Sequence, residues 1–359
     1  MVFTYKKLDL SQKEFRLLEI QPSLDDKAPI EARLTTVKES CEVQYIAISS
    51  PYGDPNEKER ITVNNRPVII TSHLASALRN VRALFFPVLA QHFQDPQPIR
   101  RPRGAPRWLK QLVRVGSSIA GGGAGRSSNS TSSKGSNESG SAAVLRVWVD
   151  MICVNQSSDV EKSQQHSTIR QIYRNAELVV GWLGDKIEQT DLGLGAIAEV
   201  DEIMPERWGE PGDQEENPED YAPTHRWAKA AMKEWLADVE GLPPNQGPAW
   251  VGATDILLRP YFQRRWLLEE LAEARYPAFL IGDVILPWKQ VLRVFRFIEE
   301  FKYQESEIFP KELQDHMALL PLESTQKLMD EFSRKQAREE AKILAVASSR
   351  ATTSSASTK

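Results

Sequence analysis

The sequence predicts an α/β fold, a parallel sheet flanked by helices. Three observations lead there. LRVWVD (145–150), a helical stretch and ELVVGWLG (177–184) follow one another in the strand–helix–strand order of a βαβ unit. ELVVGWLG is apolar on both faces, as a strand in the middle of a covered parallel sheet must be. The 359 residues are 41% hydrophobic and 26% charged, which is ordinary globular usage in a chain long enough for a sizeable core.

The elements follow in order. EFRLLEI (14–20) and EVQYIAIS (42–49) read as short strands that end at polar or turn-forming sequence. SSPYGDPNEKE (49–59) is a loop, with two prolines, a glycine and charges in quick succession. ITVNNRPVIIT (61–71) reads as a hairpin about Asn64–Asn65, because Asn tolerates the positive φ of a tight turn. A helix starts near Ser72, with Leu74, Leu78, Val81 and Leu84–Phe85 at helical spacing. Residues 94–107 are rich in proline and arginine and cannot continue it. Residues 116–143 are low-complexity Gly/Ser/Asn sequence that buries almost nothing, so they are expected to be a disordered insert.

After the strand at 145–150, ICVNQSSD (152–159) reads as a loop, and Ser158 with Glu161 has the spacing of a capping box. Ile169, Ile172, Tyr173 and Ala176 share one helical face. Beyond the strand at 177–184, residues 205–225 read as an acidic, proline-rich loop and 225–240 as a helix. PYFQRRWLLEELAEA (260–274) reads as a helix opened by Pro260, PAFLIGDVILPW (277–288) as a strand or hairpin, and VLRVFRFIEEF (291–301) as an amphipathic helix. A charged helical extension and a Ser/Thr/Ala tail from 347 complete the chain.

Composition narrows the function. A net charge of −4 gives no reason to expect nucleic acid. Two cysteines, Cys41 and Cys153, make no disulfide framework and no all-thiolate metal site, and the five histidines lack zinc-ligand spacing. With no signal-peptide pattern and no apolar run of the ~18–20 residues needed to span a bilayer, a soluble cytoplasmic or nuclear chain is expected.

Several residues are candidates for chemistry. Glu270 lies four residues after Trp266 on one helix face, where a carboxylate beside an indole is desolvated and its pKa raised; the alternative is a solvated glutamate or one paired with Arg264 or Arg265. Asp150 ends a strand, where sites of parallel sheets collect, or it caps its own loop. Ser49, Ser50, Gly53 and Asp54 form a small-residue loop able to approach a phosphate or ribose, or serve turn chemistry alone. Cys153 reads as a buried structural thiol. The cluster Arg100, Arg101, Arg103, Arg107, Lys110 and Arg114 reads as a solvated linker.

Read together, these segments resemble the fungal heterokaryon-incompatibility (HET) domain. The family's first motif is close to Y-x-A-L-S-Y-x-W-G-D-P, and here Tyr45–Pro55 is similar to it, with Ser50 and Tyr52 replacing the usual aromatics. Its second motif resembles WVDMICVNQ (148–156), Glu161, IYRNA (172–176) and WLG (182–184); its third resembles RPYFQRRWLLEE (259–270), with Glu269 in place of the usual Gln. HET domains are in turn distantly similar to TIR domains, which have a flavodoxin-like fold, and some of which cleave NAD through the glutamate of a W-x-x-x-E helix; Trp266–Glu270 matches that pattern.

The resemblance implies a HET domain over 40–300, with a packed N-terminal extension (1–39), a helical extension (301–346) and a disordered tail (347–359). It implies a role in non-self recognition and programmed cell death, with Glu270 catalytic and Ser49, Gly53, Asp54, Asp150 and Trp266 lining a nucleotide pocket. NAD is then a substrate and no cofactor is tightly bound. The implied partners are a second copy of the chain or other HET or sensor proteins, with no nucleic acid and no membrane span. A non-catalytic HET signalling module, or an inactive paralogue, is the alternative.

Overall fold

Strand order sets the frame for the site. The computed structural model describes residues 4–94 (except 24, 26 and 40–42), 144–301 (except 211, 223 and 236–245) and positions 311, 315, 318 and 334. Among these, the strands are β1 (Glu14–Ile20), β2 (Glu31–Lys38), β3 (Ile46–Ser49), β4 (Lys58–Val63), β5 (Arg66–Thr71), β6 (Leu145–Trp148), β7 (Leu178–Gly184), β8 (Pro277–Ile281) and β9 (Val284–Pro287). They form one sheet in the order β5-β4-β2-β1-β6-β3-β7-β8-β9.

The sheet is mixed, which corrects the all-parallel expectation. β6, β3, β7 and β8 are mutually parallel neighbours. The pairs β1–β2, β4–β5 and β8–β9 are antiparallel because short connections reverse the chain, whereas a parallel return needs a long crossover. The turn between β4 and β5 holds Asn64 and Asn65 at φ +51° and +57°, as a two-residue hairpin requires. β2 escapes the sequence pattern: its ends are charged, and its residues run mostly half-buried to exposed. It is held by pairing with β1 from Glu14–Lys38 to Ile20–Ala32, and at its start with β4.

The helices are α1 (Ser72–Gln94), α2 (Asp150–Cys153), α3 (Asp159–Asn175), α4 (Thr190–Ile203), α5 (Asp213–Glu216), α6 (Arg226–Trp235), α7 (Pro248–Leu257), α8 (Arg265–Glu273) and α9 (Trp288–Phe301). α2 is a single turn where a loop was expected. At the start of α3 the Ser158 hydroxyl accepts from the Glu161 amide, but the Glu161 carboxylate turns to Arg16 instead of closing the capping box. α4 and α7 carry no clean period: α4 contains two glycines and α7 is apolar on most faces. The expected acidic loop at 205–225 is tied down by Trp208, which packs on Tyr221, Trp227, Phe297 and Phe301.

The helix expected to open at Pro260 begins instead at Arg265. Tyr261 and Phe262 are consecutive and both fully buried, which a turn accommodates better than a helix face. Phe262 packs on Phe279 and Phe295, while Tyr261 reaches toward β3. The insert at 116–143, the basic cluster at 100–114, Cys41 and the tail at 347–359 lie outside the described residues, as does most of the extension at 301–346.

Candidate functional site

The site forms where β3 ends. β3 is flanked by parallel β6 and β7, so Ser49, its last residue, emerges at the carboxyl edge of the sheet, where α/β sites collect. Ser49 is fully buried and lies opposite Gly181 of β7. That glycine is required by space: a Cβ there would fall 2.8 Å from Cζ of Tyr261 and 3.0 Å from a Phe279 ring carbon. The room it leaves lets the Tyr261 hydroxyl donate to Ser49 Oγ at 3.0 Å. Ser49 in turn donates to Glu270 Oε2 at 2.9 Å.

α3 supplies the second donor. Tyr173 is buried edge-on against Trp148, and its hydroxyl reaches Glu270 Oε2 at 2.9 Å. Both hydroxyls thus bind one carboxyl oxygen. No described residue donates a hydrogen bond to the other oxygen, Oε1. α2 brings Asp150 close enough for its charge to act on Glu270. Asp150 accepts from the Met151 amide at 2.7 Å and, at a long 3.4 Å, from the half-exposed Tyr52 hydroxyl.

The electrostatics follow from this packing. Burial, and then the Asp150 charge, push the Glu270 carboxyl up to about 8, against the pull of the Ser49 and Tyr173 hydrogen bonds. Burial also raises Asp150, and it raises the Tyr173 and Tyr261 phenols well out of the physiological range. At neutral pH the cluster therefore presents a largely protonated Glu270 beside a second carboxyl group, the pattern of tuned acid–base sites.

The structure thus brings together Ser49, Asp150 and Glu270 of the residues singled out from sequence. Trp266, one turn before Glu270 on α8, is 39% exposed. Gly53 and Asp54 serve the loop: Gly53 (φ +74°) packs against His73, and the Asp54 carboxylate accepts from the Asn56 amide and side chain. Cys153 is buried and its thiol is pushed up to about 12 by burial, which removes it as a nucleophile. Among the described residues no group of three His, Cys, Asp or Glu side chains is placed to hold a metal ion. No helix among them is long and apolar enough to cross a membrane.

Two site residues were not singled out by sequence reasoning. Tyr173 reads in sequence as part of an apolar helix face and of the second motif, and Tyr261 as part of a helix and of the third motif. The signal available was tyrosine where phenylalanine would suffice, since a buried phenol needs a hydrogen-bond partner.

Residues 137–270 match the family model described as heterokaryon incompatibility protein (HET). The chain is similar to heterokaryon incompatibility protein 6, OR allele, of Neurospora crassa, at 24% identity over 224 residues; the alignment covers 60% of this chain and 25% of that protein. The chain thus matches only about a quarter of that relative's length. No solved structure matches the chain. The family match contains Asp150 and Tyr173 and ends on Glu270, while β3 and Ser49, which complete the cluster, lie before it. Residues 137–270 are thus similar to the heterokaryon-incompatibility domain.

Proposed function

We propose that this chain acts in heterokaryon incompatibility, and that its Glu270 cluster is a TIR-like NAD glycohydrolase site whose product formation signals cell death. The observation that carries the reading is Glu270 itself. It is partly buried at the carboxyl edge of parallel strands, held on Oε2 by Ser49 and Tyr173, with the Asp150 charge acting on it.

In the reaction the bond from ribose C1′ to the pyridine nitrogen breaks, and nicotinamide leaves with the electron pair. The ribose becomes oxocarbenium-like and positively charged. An ionised Glu270 stabilises that charge in a site of reduced dielectric. Water then adds to C1′ and releases a proton, giving ADP-ribose. Ser49 and Tyr173 fix the carboxyl orientation, and the exposed rings of Tyr52 and Trp266 offer aromatic surface to a planar base. Activity of this kind depends on assembly in TIR proteins, so self-association is part of the proposal.

The experiment is turnover of etheno-NAD by concentrated full-length protein, wild type against Glu270→Gln. Wild type is expected to turn over, with a rate that rises as pH passes through about 8, where the carboxyl ionises. The variant is expected to lose about 100-fold or more, as when an electrostatic stabiliser of a transition state is removed. Equal rates in the two proteins would sink the catalytic role. Toxicity on overexpression that survives Glu270→Gln would favour signalling by association alone.

A further inference from the structure

The short helix α2 has different neighbours at its two ends. Asp150, at its first position, lies within electrostatic reach of Glu270. At its other end the carbonyls of Ile152 and Cys153 have no next turn to bond, because the helix stops there. Groups from the N-terminal segment take them. The Tyr5 hydroxyl donates to the Ile152 carbonyl at 3.0 Å, and the Arg16 guanidinium to the Cys153 carbonyl at 3.0 Å.

Arg16 is the hub of this clasp. It is 3% exposed and binds both oxygens of Glu161, at 2.6 and 3.1 Å. It also donates to the Lys6 carbonyl at 2.6 Å, and its guanidinium sits 4.9 Å from the centre of the Tyr5 ring. Glu161 further accepts the Asn155 amide at 2.7 Å, so the chain leaving α2 joins the same hub. Burial alone would push the Glu161 carboxyl up, but the Arg16 guanidinium and the Asn155 amide outweigh it and hold it below its usual range. A buried guanidinium needs acceptors beyond its partner carboxylate. This one sends bonds to the residues that end and follow the helix carrying Asp150.

We propose that Arg16 is a positioning residue of the Glu270 site: acting through α2, it and the N-terminal segment fix how closely Asp150 approaches Glu270. The inference rests on reading Glu270 as the working group of the site, and not on the identity of the substrate. Among the described residues, the titratable groups that face Glu270 are Asp150 from α2, Tyr173 from α3, Tyr52 from the loop after β3, and Tyr261 from the turn before α8. The three phenols stay neutral at physiological pH, so Asp150 is the group among these whose displacement Glu270 would feel most.

The test is the pH titration of the Glu270 carboxyl followed by its 13C resonance in the full chain, assigned by its loss in Glu270→Gln. If α2 is released, Asp150 recedes and water reaches Glu270, and both lower its midpoint. Arg16→Met and Tyr5→Phe are therefore expected to lower it by about one pH unit from the wild-type value, and Arg16→Lys to recover part of the shift. Arg293→Met, which breaks the comparable Arg293–Asp201 pair away from α2, should leave it in place. An unchanged midpoint in folded Arg16→Met, or an equal shift in Arg293→Met, overturns the proposal. Should Arg16→Met fail to fold, Tyr5→Phe decides, since it deletes one hydroxyl and keeps the ion pair; an unchanged midpoint there overturns it as well. Absence of NAD turnover in wild type would remove the hydrolase reading and leave this titration intact.

Discussion

Glu270 receives two hydrogen bonds on one oxygen, from side chains 221 and 97 positions away in sequence. Both donors oppose the rise that burial and Asp150 impose on it. Tyr173→Phe should therefore raise the Glu270 midpoint above 8, by about one unit. Carboxyl 13C titration checks this, and a midpoint that falls would show that the phenol does not favour the ionised form. Residue-scale legibility was uneven. Glu270, Asp150 and Ser49 stood out because ionisable or small polar residues at strand and helix ends are conspicuous in sequence. Tyr173 and Tyr261 did not, because periodicity registers their rings and is blind to the hydroxyls. Gly53 and Asp54 stood out for the same reason as Ser49, and their contacts in the structure are those of a turn.

At the scale of elements, β7 couples the core to the site. All seven of its residues are buried, and Gly181 gives Tyr261 its place. Gly181→Ala should force the Tyr261 ring off Ser49 and destabilise the fold by roughly 1–3 kcal/mol, as overpacking does. Urea unfolding would measure the cost; a neutral result would mean that the ring relaxes freely. β7 was legible because a doubly buried strand reads as a continuous apolar run. β2 was not, since its stability comes from pairing with β1 and its own sequence is charged at both ends. α4 and α7 were missed because glycines blur the period of one and all-round apolarity hides that of the other. α8 starts late because the two buried rings before it need a turn to point where they do.

For the molecule as a whole, the raised Glu270 carboxyl ties stability to pH. Its ordinary value is 4.5 and its value in the fold is about 8. Between these the folded chain keeps a proton that the unfolded chain has released. The contribution is therefore fully present below about 4.5 and is lost as pH rises through about 8, at up to about 1.4 kcal/mol per unit. Glu270→Gln cannot ionise, so the stability of wild type relative to this variant should fall across that window. Parallel denaturation curves from pH 4 to 9 check it, and a constant difference would show that the carboxyl is solvated. Asp150, raised in the same direction, adds to the trend in both proteins. The α/β class and the central strand–helix–strand unit could be read from sequence. The mixed sheet could not, because strand direction depends on which distant segments pair.

That pairing has one more consequence. β3, from the first part of the chain, is inserted between β6 and β7, from the second. The two parts are interlaced like fingers of two hands. Neither 1–94 nor 144–301 holds both Ser49 and Glu270, and neither can present an unbroken sheet alone. The cluster therefore needs both parts, so neither part by itself can set Glu270 against Ser49.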